Sequence, residues 1–544
     1  ATFRPRRVAS LTVVCIVALG IIDGAVRSKS FQDEYFPTEL ATGRSSHASR
    51  SHSSRHMSRH TLPVNTSQFP PHLQPCEHSF QCLVQLVCRD GYCGYCQDNE
   101  QCAEVNTKNV CRELSPEITH CQHKTLFGHF DHSDLLIILI TFLTTAMSAP
   151  AGTGGGGVLV PMYIIVGQFS PHGAIPLSKA TIFGGAIANN YFNLQRRHPR
   201  ADRPLVDFRT VLLLEPLLLL GTVIGVFFNA LSPGWLITVL LVGTLSFVTY
   251  RTVLKGISAY KTEMAEAREV VPEQVVATSE EERRRLIAPS ELSQAAVDNP
   301  EAKSELEVIL QKEARPLWFK EIGVLCLAWI VIAVTARLKG GEGGAGVVPC
   351  GTFLYWCIVV MPMPIIGAIF YMTARSLIDD HERKMRIGFR FLEGDLHWNS
   401  RNTLRYPMYC FFAGFAAGAL GIAAGTVLGP VLLELGMLPI TATASSGFMV
   451  LFTASSTTTQ FLIMGQLQLD YALFFAFIGL LGAGLGNTGV NWIVKRYRKT
   501  YFIIFMLAGI IGVSVVLMGI TGALREIDAV KHGKSLGFRP LCHD

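Results

Sequence analysis

Charge is scarce in this sequence. Only 16% of its 544 residues are Asp, Glu, Lys or Arg, against about 25% in a soluble domain, too few to coat several soluble globules. No three- or seven-residue period runs through it, which excludes collagen and extended coiled coil. It has no Walker A loop, no HExxH helix and no GxSxG elbow, so an ATP-driven pump or a hydrolase finds no support. The net charge is only +6 and scattered among loop clusters, so nucleic acid is not an expected partner. What is present is apolar: 49% hydrophobic residues and a mean hydropathy of +0.34. The composition is that of an all-α polytopic membrane protein, with the lipid bilayer as its first partner and no cofactor or metal required.

The chain opens with Arg4, Arg6 and Arg7 before an apolar run from Val8 to Ile22, the pattern of a signal peptide. Asp23 spoils the cleavage site, so residues 1–26 read as signal peptide or uncleaved anchor. Residues 27–75 are rich in Ser, His and Arg and too polar to bury a core. They contain the glycosylation sequon Asn65-Thr66-Ser67. Cys76, Cys82, Cys88, Cys93, Cys96, Cys102, Cys111 and Cys121 then fall within 46 residues. An even cluster behind a secretory signal reads as four disulfides stapling a small extracytoplasmic module, residues 76–121, with connectivity open. Zinc is the rival, with Cys93 and Cys96 as the one CxxC pair.

From Leu135 onward apolar segments follow one another. Ala174–Leu194, Val211–Leu231, Trp235–Val253, Trp318–Ala336, Phe353–Met372, Thr441–Met464, Tyr471–Val494 and Tyr501–Ala523 are long enough to span, since about 20 residues cross the hydrocarbon. Two adjacent pairs are shorter, Leu135–Pro150 with Val158–Val166 and Met408–Ala424 with Val427–Leu438. Whether a pair crosses and returns or is re-entrant, the chain leaves on the side where it entered. Starting outside, this parity places Arg196, Arg197, Arg200 and Arg203 in the cytosol. The charged stretch Leu254–Pro316, then Arg383, Lys384, Arg386 and Arg390, and finally Lys495, Arg496, Arg498 and Lys499 follow on the same side, as the positive-inside rule requires. Arg525, Lys531, Lys534 and Arg539 fall outside, against the rule.

An internal repeat is legible. Gly152, Gly156, Val158, Leu159 and Pro161 recur as Gly421, Gly425, Val427, Leu428 and Pro430 at an offset of 269. Pro171, Ala174 and Ser178 recur as Pro439, Ala442 and Ser446 at 268. By the parity above, one copy starts outside and the other inside. Inverted repeats with short, Gly- or Pro-interrupted segments are the architecture of secondary transporters. The expected organisation is a first repeat over 133–254, a cytosolic loop 255–316, two extra spans over 317–373 and a basic loop 374–406. A second repeat over 407–523 and a tail 524–544 complete it.

At the turns Gly154–Pro161 and Gly421–Pro430, at Ser178 and Ser445-Ser446, and at Glu215-Pro216-Leu217 before Gly221, the chain resembles the sulfite exporter TauE/SafE family, also called the toluene sulfonate uptake permease family. The likeness covers roughly Leu135–Ala523 and not the cysteine module. It implies ion-coupled transport of sulfite, organosulfonates or related small anions. Ala423-Ala424 stands where the family has glycine, which questions equal use of the two halves.

Several residues are candidates for the chemistry. Gly152, Gly154, Gly155, Gly156, Gly157 and Pro161, with Gly421, Gly425 and Pro430, make two breaks whose amides could face an anion; close helix packing is the alternative. Lys179, just after Ser178, either attracts the anion or snorkels to the outer interface. Glu215 either carries a coupling proton or pairs with Arg209, and Glu434 is a second coupling candidate. Asn189 and Asn190 match Thr457 and Thr458 at offset 268, and these two polar bands suggest a shared cavity, with helix-to-helix hydrogen bonding the alternative; Ser178, Ser445 and Ser446, which open the helices after the breaks, are further candidates for binding the substrate. The reading is a secondary anion transporter in a membrane of the secretory pathway, proton- or ion-coupled. A receptor or scaffold using the cysteine module, and a passive anion channel, are its rivals.

Overall fold

The computed structural model describes residues 76–531 with breaks, the longest at 269–299 and 340–347. The expected signal segment, the Ser/His/Arg-rich stretch and Asn65 lie outside the described residues. The chain forms two compact units, dividing between Lys124 and Thr125.

The first unit is held by sulfur. Cys76–Cys88, Cys82–Cys93, Cys96–Cys111 and Cys102–Cys121 are bonded, so zinc loses its ligands. Each loop of 11 to 19 residues contributes about 3 kcal/mol by restricting the unfolded chain. Hairpin β1 (Val87–Arg89) with β2 (Tyr92–Gly94) places Cys88 opposite Cys93, and β3 (Asn109–Ser115) with β4 (Ile118–His123) places Cys111 opposite Cys121. Helix α1 (Asn99–Ala103) lies between them. In each half the first cysteine bonds the third and the second bonds the fourth, so the module is one motif used twice. The equal Cys76-to-Cys82 and Cys96-to-Cys102 spacing was the available clue.

The second unit is a helical bundle. Its first half contains α2 (His132–Ser148), α3 (Gly156–Ile165), α4 (Pro171–Asn193), α5 (Phe208–Leu231) and α6 (Gly234–Arg268). After α7 (Pro300–Glu313) come α8 (Phe319–Lys339), α9 (Phe353–Val360) and α10 (Pro362–Arg386). The second half contains α11 (Ser400–Leu420), α12 (Gly425–Glu434), α13 (Pro439–Ile463), α14 (Leu469–Tyr497) and α15 (Tyr501–Lys531). Phe208–Leu231, Gly234–Ser258, Phe319–Lys339, Phe353–Arg386 and Leu469–Gly489 are long and apolar enough to cross a membrane. The protein is an integral membrane protein.

Three sequence boundaries need correction. Met408–Ala424 is not a short segment: α11 has 21 residues, because its first turns carry Arg401 and Arg405, which an apolar run excludes. The span at Phe353–Met372 is interrupted at Met361, where Pro362 supplies no backbone donor, and α10 continues to Arg386. The stretch Leu254–Pro316 is partly helical, through the end of α6 and α7.

Packing partners exchange between the halves. Helix α2 packs on α14 while its counterpart α11 packs on α5; α4 packs on α14 while α13 packs on α5; α6 and α15 pack on each other. A Cβ added at Gly221 or Gly225 of α5 would overlap the carbonyl oxygens of Phe411 or Phe415 in α11. One added at Gly482 or Gly486 of α14 would crowd those of Phe142 or Ala146 in α2. Phe142 and Ala146 precede Phe411 and Phe415 by the repeat offset of 269. The same backbone-to-backbone seam, possible only with small residues, is built twice. Helices α8 and α10 attach to the outside of α5 through Ala328, Ile332, Ile366 and Ile369 around Leu219. At the centre, α4 and α13 are buried on nearly every face, as helices enclosed by protein are.

Candidate functional site

The two breaks meet. Helices α3 and α12 each have ten residues, with Pro161 and Pro430 at the same position in them. Gly152, Gly154 and Gly155 take positive φ of 65°, 71° and 74°, and Gly421 takes 72°, a region that Cβ-bearing residues avoid. A Cβ on Gly156 would stand 2.5 Å from Ala423 N, and one on Gly425 would overlap Gly152 O. The N-termini of α3 and α12 therefore abut, and the first amides of each helix lack intrahelical acceptors. Two positive dipole ends share one buried place.

Lys179 is 2% exposed, and its Nζ donates to Ile422 O at 2.8 Å. It does not snorkel. Ser178 Oγ donates to Gly421 O at 3.4 Å, so α4 clamps the second break from across the pseudo-symmetry. Ser446 sits against Gly152, and Ser445 Oγ accepts from Asp207 N at 3.0 Å. A cavity of about 20 Å³ adjoins the first break, lined by Thr145, Ser148, Gly152, Gly154, Asn189 and Gly447 among others. Such a volume holds about one water-sized group. Gly155, Gly157 and Gly425 lie outside its lining.

The polar bands divide. Asn190 Nδ2 donates to Ala186 O at 2.8 Å and Gly447 O at 2.9 Å, joining α4 to α13. Thr457 Oγ1 donates to its own helix at Thr453 O, 2.8 Å. Thr458 Oγ1 has no hydrogen-bond partner among the described residues.

Glu215 lies at the α5–α11 seam, fully buried, with neither carboxylate oxygen hydrogen-bonded among the described residues. The alternative pairing with Arg209 is overturned. Arg209 pairs with Asp380 of α10 and lies over the Trp318 ring at 5.1 Å, because it begins α5 two turns before Glu215 and faces the charged end. Helix α5 runs unbroken through Pro216. Glu434 ends α12 with its side chain 54% exposed, 3.8 Å from Arg405.

The charged loops converge. Arg203 pairs with Asp395, Arg383 with Glu305 and Lys384 with Glu313, and Arg197 donates to Ala314 O at 2.9 Å. Burial works against the Arg203 guanidinium, but Asp395 and Asp207 outweigh it and hold it above its ordinary value. Sequence reasoning grouped the basic residues but missed their acidic partners, which no local pattern ties to them.

Two short apolar helices whose N-termini abut inside a helical bundle mark a polytopic membrane protein. A family model for the sulfite exporter TauE/SafE matches residues 137–359 and 351–515. The chain is 32% identical over 410 residues to sulfite exporter TauE/SafE family protein 5 of Arabidopsis thaliana, covering 74% of this chain and 86% of the relative. To family protein 3 of the same plant it is 29% identical over 416 residues, 76% and 83% of the two chains. The chain belongs to the sulfite exporter TauE/SafE family. No solved structure matches it.

Proposed function

We propose that the protein is a secondary transporter of small anions, of the sulfite or organosulfonate class, working by alternating access of two inverted halves. The observation that carries this is the abutment of the α3 and α12 N-termini beside the buried Lys179: amides, dipole ends and one ammonium concentrate positive potential where the halves meet. An anion bound there sits at the hinge of any rocking motion. The inverted relation draws support from direction. Contacts at Thr181 with Gly479 and Asn189 with Asn487 run α4 and α14 the same way. The Arg197–Pro204 antiparallel bridge turns the chain back between α4 and α5, which supports opposite directions for the equivalent helices α5 and α14. The relatives' name, sulfite exporter, points to the same substrate class.

The test is uptake of labelled sulfite, taurine and small carboxylates by proteoliposomes with and without a pH gradient. Gradient-dependent accumulation supports the proposal. Equilibration that ignores the gradient makes the protein a channel, and no flux of any anion favours a receptor using the disulfide module. Topology has its own expected outcome: an epitope within 269–299 stays inaccessible to antibody in intact cells and becomes accessible on permeabilisation. The convergence of the three charged segments supports this, since they must share one side of the membrane. Labelling of intact cells would contradict the inverted assignment.

A further inference from the structure

The two breaks are not chemically equivalent, and the difference falls at one position. Lys179 of α4 corresponds to Gly447 of α13 at the repeat offset of 268. At the second break Lys179 is buried and its ammonium is spent on Ile422 O. In the first break the matching residue has no side chain, and the cavity of about 20 Å³ lies there. Asn189 reaches into that space: a Cβ on Gly447 would stand 2.6 Å from Asn189 Nδ2.

The orientation of this amide is set by its neighbours. Asn193 Nδ2 at 3.2 Å and Asn487 Nδ2 at 3.3 Å both donate to Asn189 Oδ1, and Asn487 Nδ2 also donates to Ala483 O at 3.0 Å. The oxygen is therefore saturated, and the NH₂ group is turned toward Gly447 and the cavity with no acceptor among the described residues. Asn189 is 94% buried, at 6% exposure. Its Nδ2 borders a space that holds one oxygen-sized group. No carboxylate lines the cavity, and no carboxylate pairs with the neighbouring Lys179 among the described residues. The counterpart of Asn189 in the second half, Thr457, has its hydroxyl engaged by its own helix.

We propose that the first break alone receives the ligand, with an oxygen of a small oxyanion accepting from Asn189 Nδ2 in the cavity between Gly152, Gly154 and Gly447, while Lys179 holds the second break closed and neutralises the anion without touching it. This rests on the anion-transport reading and makes the site one-sided despite the repeat. The volume takes one oxygen, so the remainder of the anion enters as the halves part.

Asn189→Asp is the discriminating variant. Aspartate keeps the acceptor that Asn193 and Asn487 use, replaces the donor facing the cavity with an oxygen and, when ionised, adds a negative charge that repels the anion there. With full-length protein in proteoliposomes and labelled sulfite as probe, its KM is expected to rise at least about tenfold, the loss of one hydrogen bond to a charged group. Gly447→Ala, whose methyl displaces the amide, raises KM by a separate route and serves if the aspartate variant fails to insert. Sulfite-dependent thermal stabilisation in detergent reads binding without flux. Stabilisation of the parent that is lost in both variants supports the site even if no flux is seen, in which case only the transport reading falls. A parental KM or parental stabilisation in whichever variant folds overturns the proposal. A parent that sulfite neither crosses nor stabilises overturns it as well.

Discussion

Glu215→Gln abolishes sulfite accumulation driven by a pH gradient and leaves exchange between equal internal and external pools. Glutamine matches the carboxyl in size and cannot titrate, so any step that needs a proton to ride with the anion stops there. The structure makes Glu215 the candidate because it is fully buried, its oxygens have no hydrogen-bond partner among the described residues, and Arg209 is held elsewhere by Asp380. A carboxyl kept inside a span without an ionic partner marks a proton path more often than a structural contact. It also sits on the α5–α11 seam, between helices of different halves, where a change of protonation is felt by the movement that exchanges the faces. For one proton per anion, a gradient of one pH unit stores about 1.4 kcal/mol and sustains about tenfold accumulation. The variant should bring that ratio to unity while counterflow persists. Tenfold accumulation by the variant would move coupling to another group. Glu434 would then need explaining, since it is half-exposed and lies near Arg405.

The sequence disclosed the halves because their glycines and prolines recur at a fixed offset, and such residues are chosen by backbone geometry that side-chain drift does not erase. Pro161 and Pro430 indeed occupy the same place in two ten-residue helices. It disclosed α5, α8 and α14 because each contains a long apolar run, but it trimmed α11, whose first turns carry Arg401 and Arg405. The site was legible as a set of residues and not as a geometry. Lys179 and Glu215 announced themselves as charges within spans, yet nothing local says that Lys179 reaches Ile422, 243 positions away. Nor does spacing say that Asn189 and Thr457, aligned by the repeat, spend their polar groups differently. That difference depends on which neighbours, Asn193 and Asn487 or the Thr453 carbonyl, the packed helices bring within reach.

The seams that pair the halves give the second large effect. Gly225→Ala and Gly486→Ala each lower the melting temperature in detergent and the yield of inserted protein, whereas Gly484→Ala, two residues from Gly486, does not. Within a helix alanine is favoured over glycine by about 1 kcal/mol, so local propensity alone has all three substitutions stabilising. Packing reverses the sign at two of them. The new methyl at Gly486 overlaps Ala146 O and at Gly225 it overlaps Phe415 O, while at Gly484 nothing lies within 4 Å. Because the obstacle is backbone and not a flexible side-chain tip, the helices must separate along their length. Overpacking of this kind costs about 1–3 kcal/mol. The two seams are related by the repeat, so the two losses should be similar in size. Each seam also joins one half to the other, so the double variant should lose at least the sum. Equal tolerance of alanine at all three positions would mean that the α5–α11 and α2–α14 helices stand further apart than this packing requires. A loss at Gly486 with none at Gly225 would show that only one seam holds the halves together, and that Ala146 and Phe415 share an offset without sharing a function.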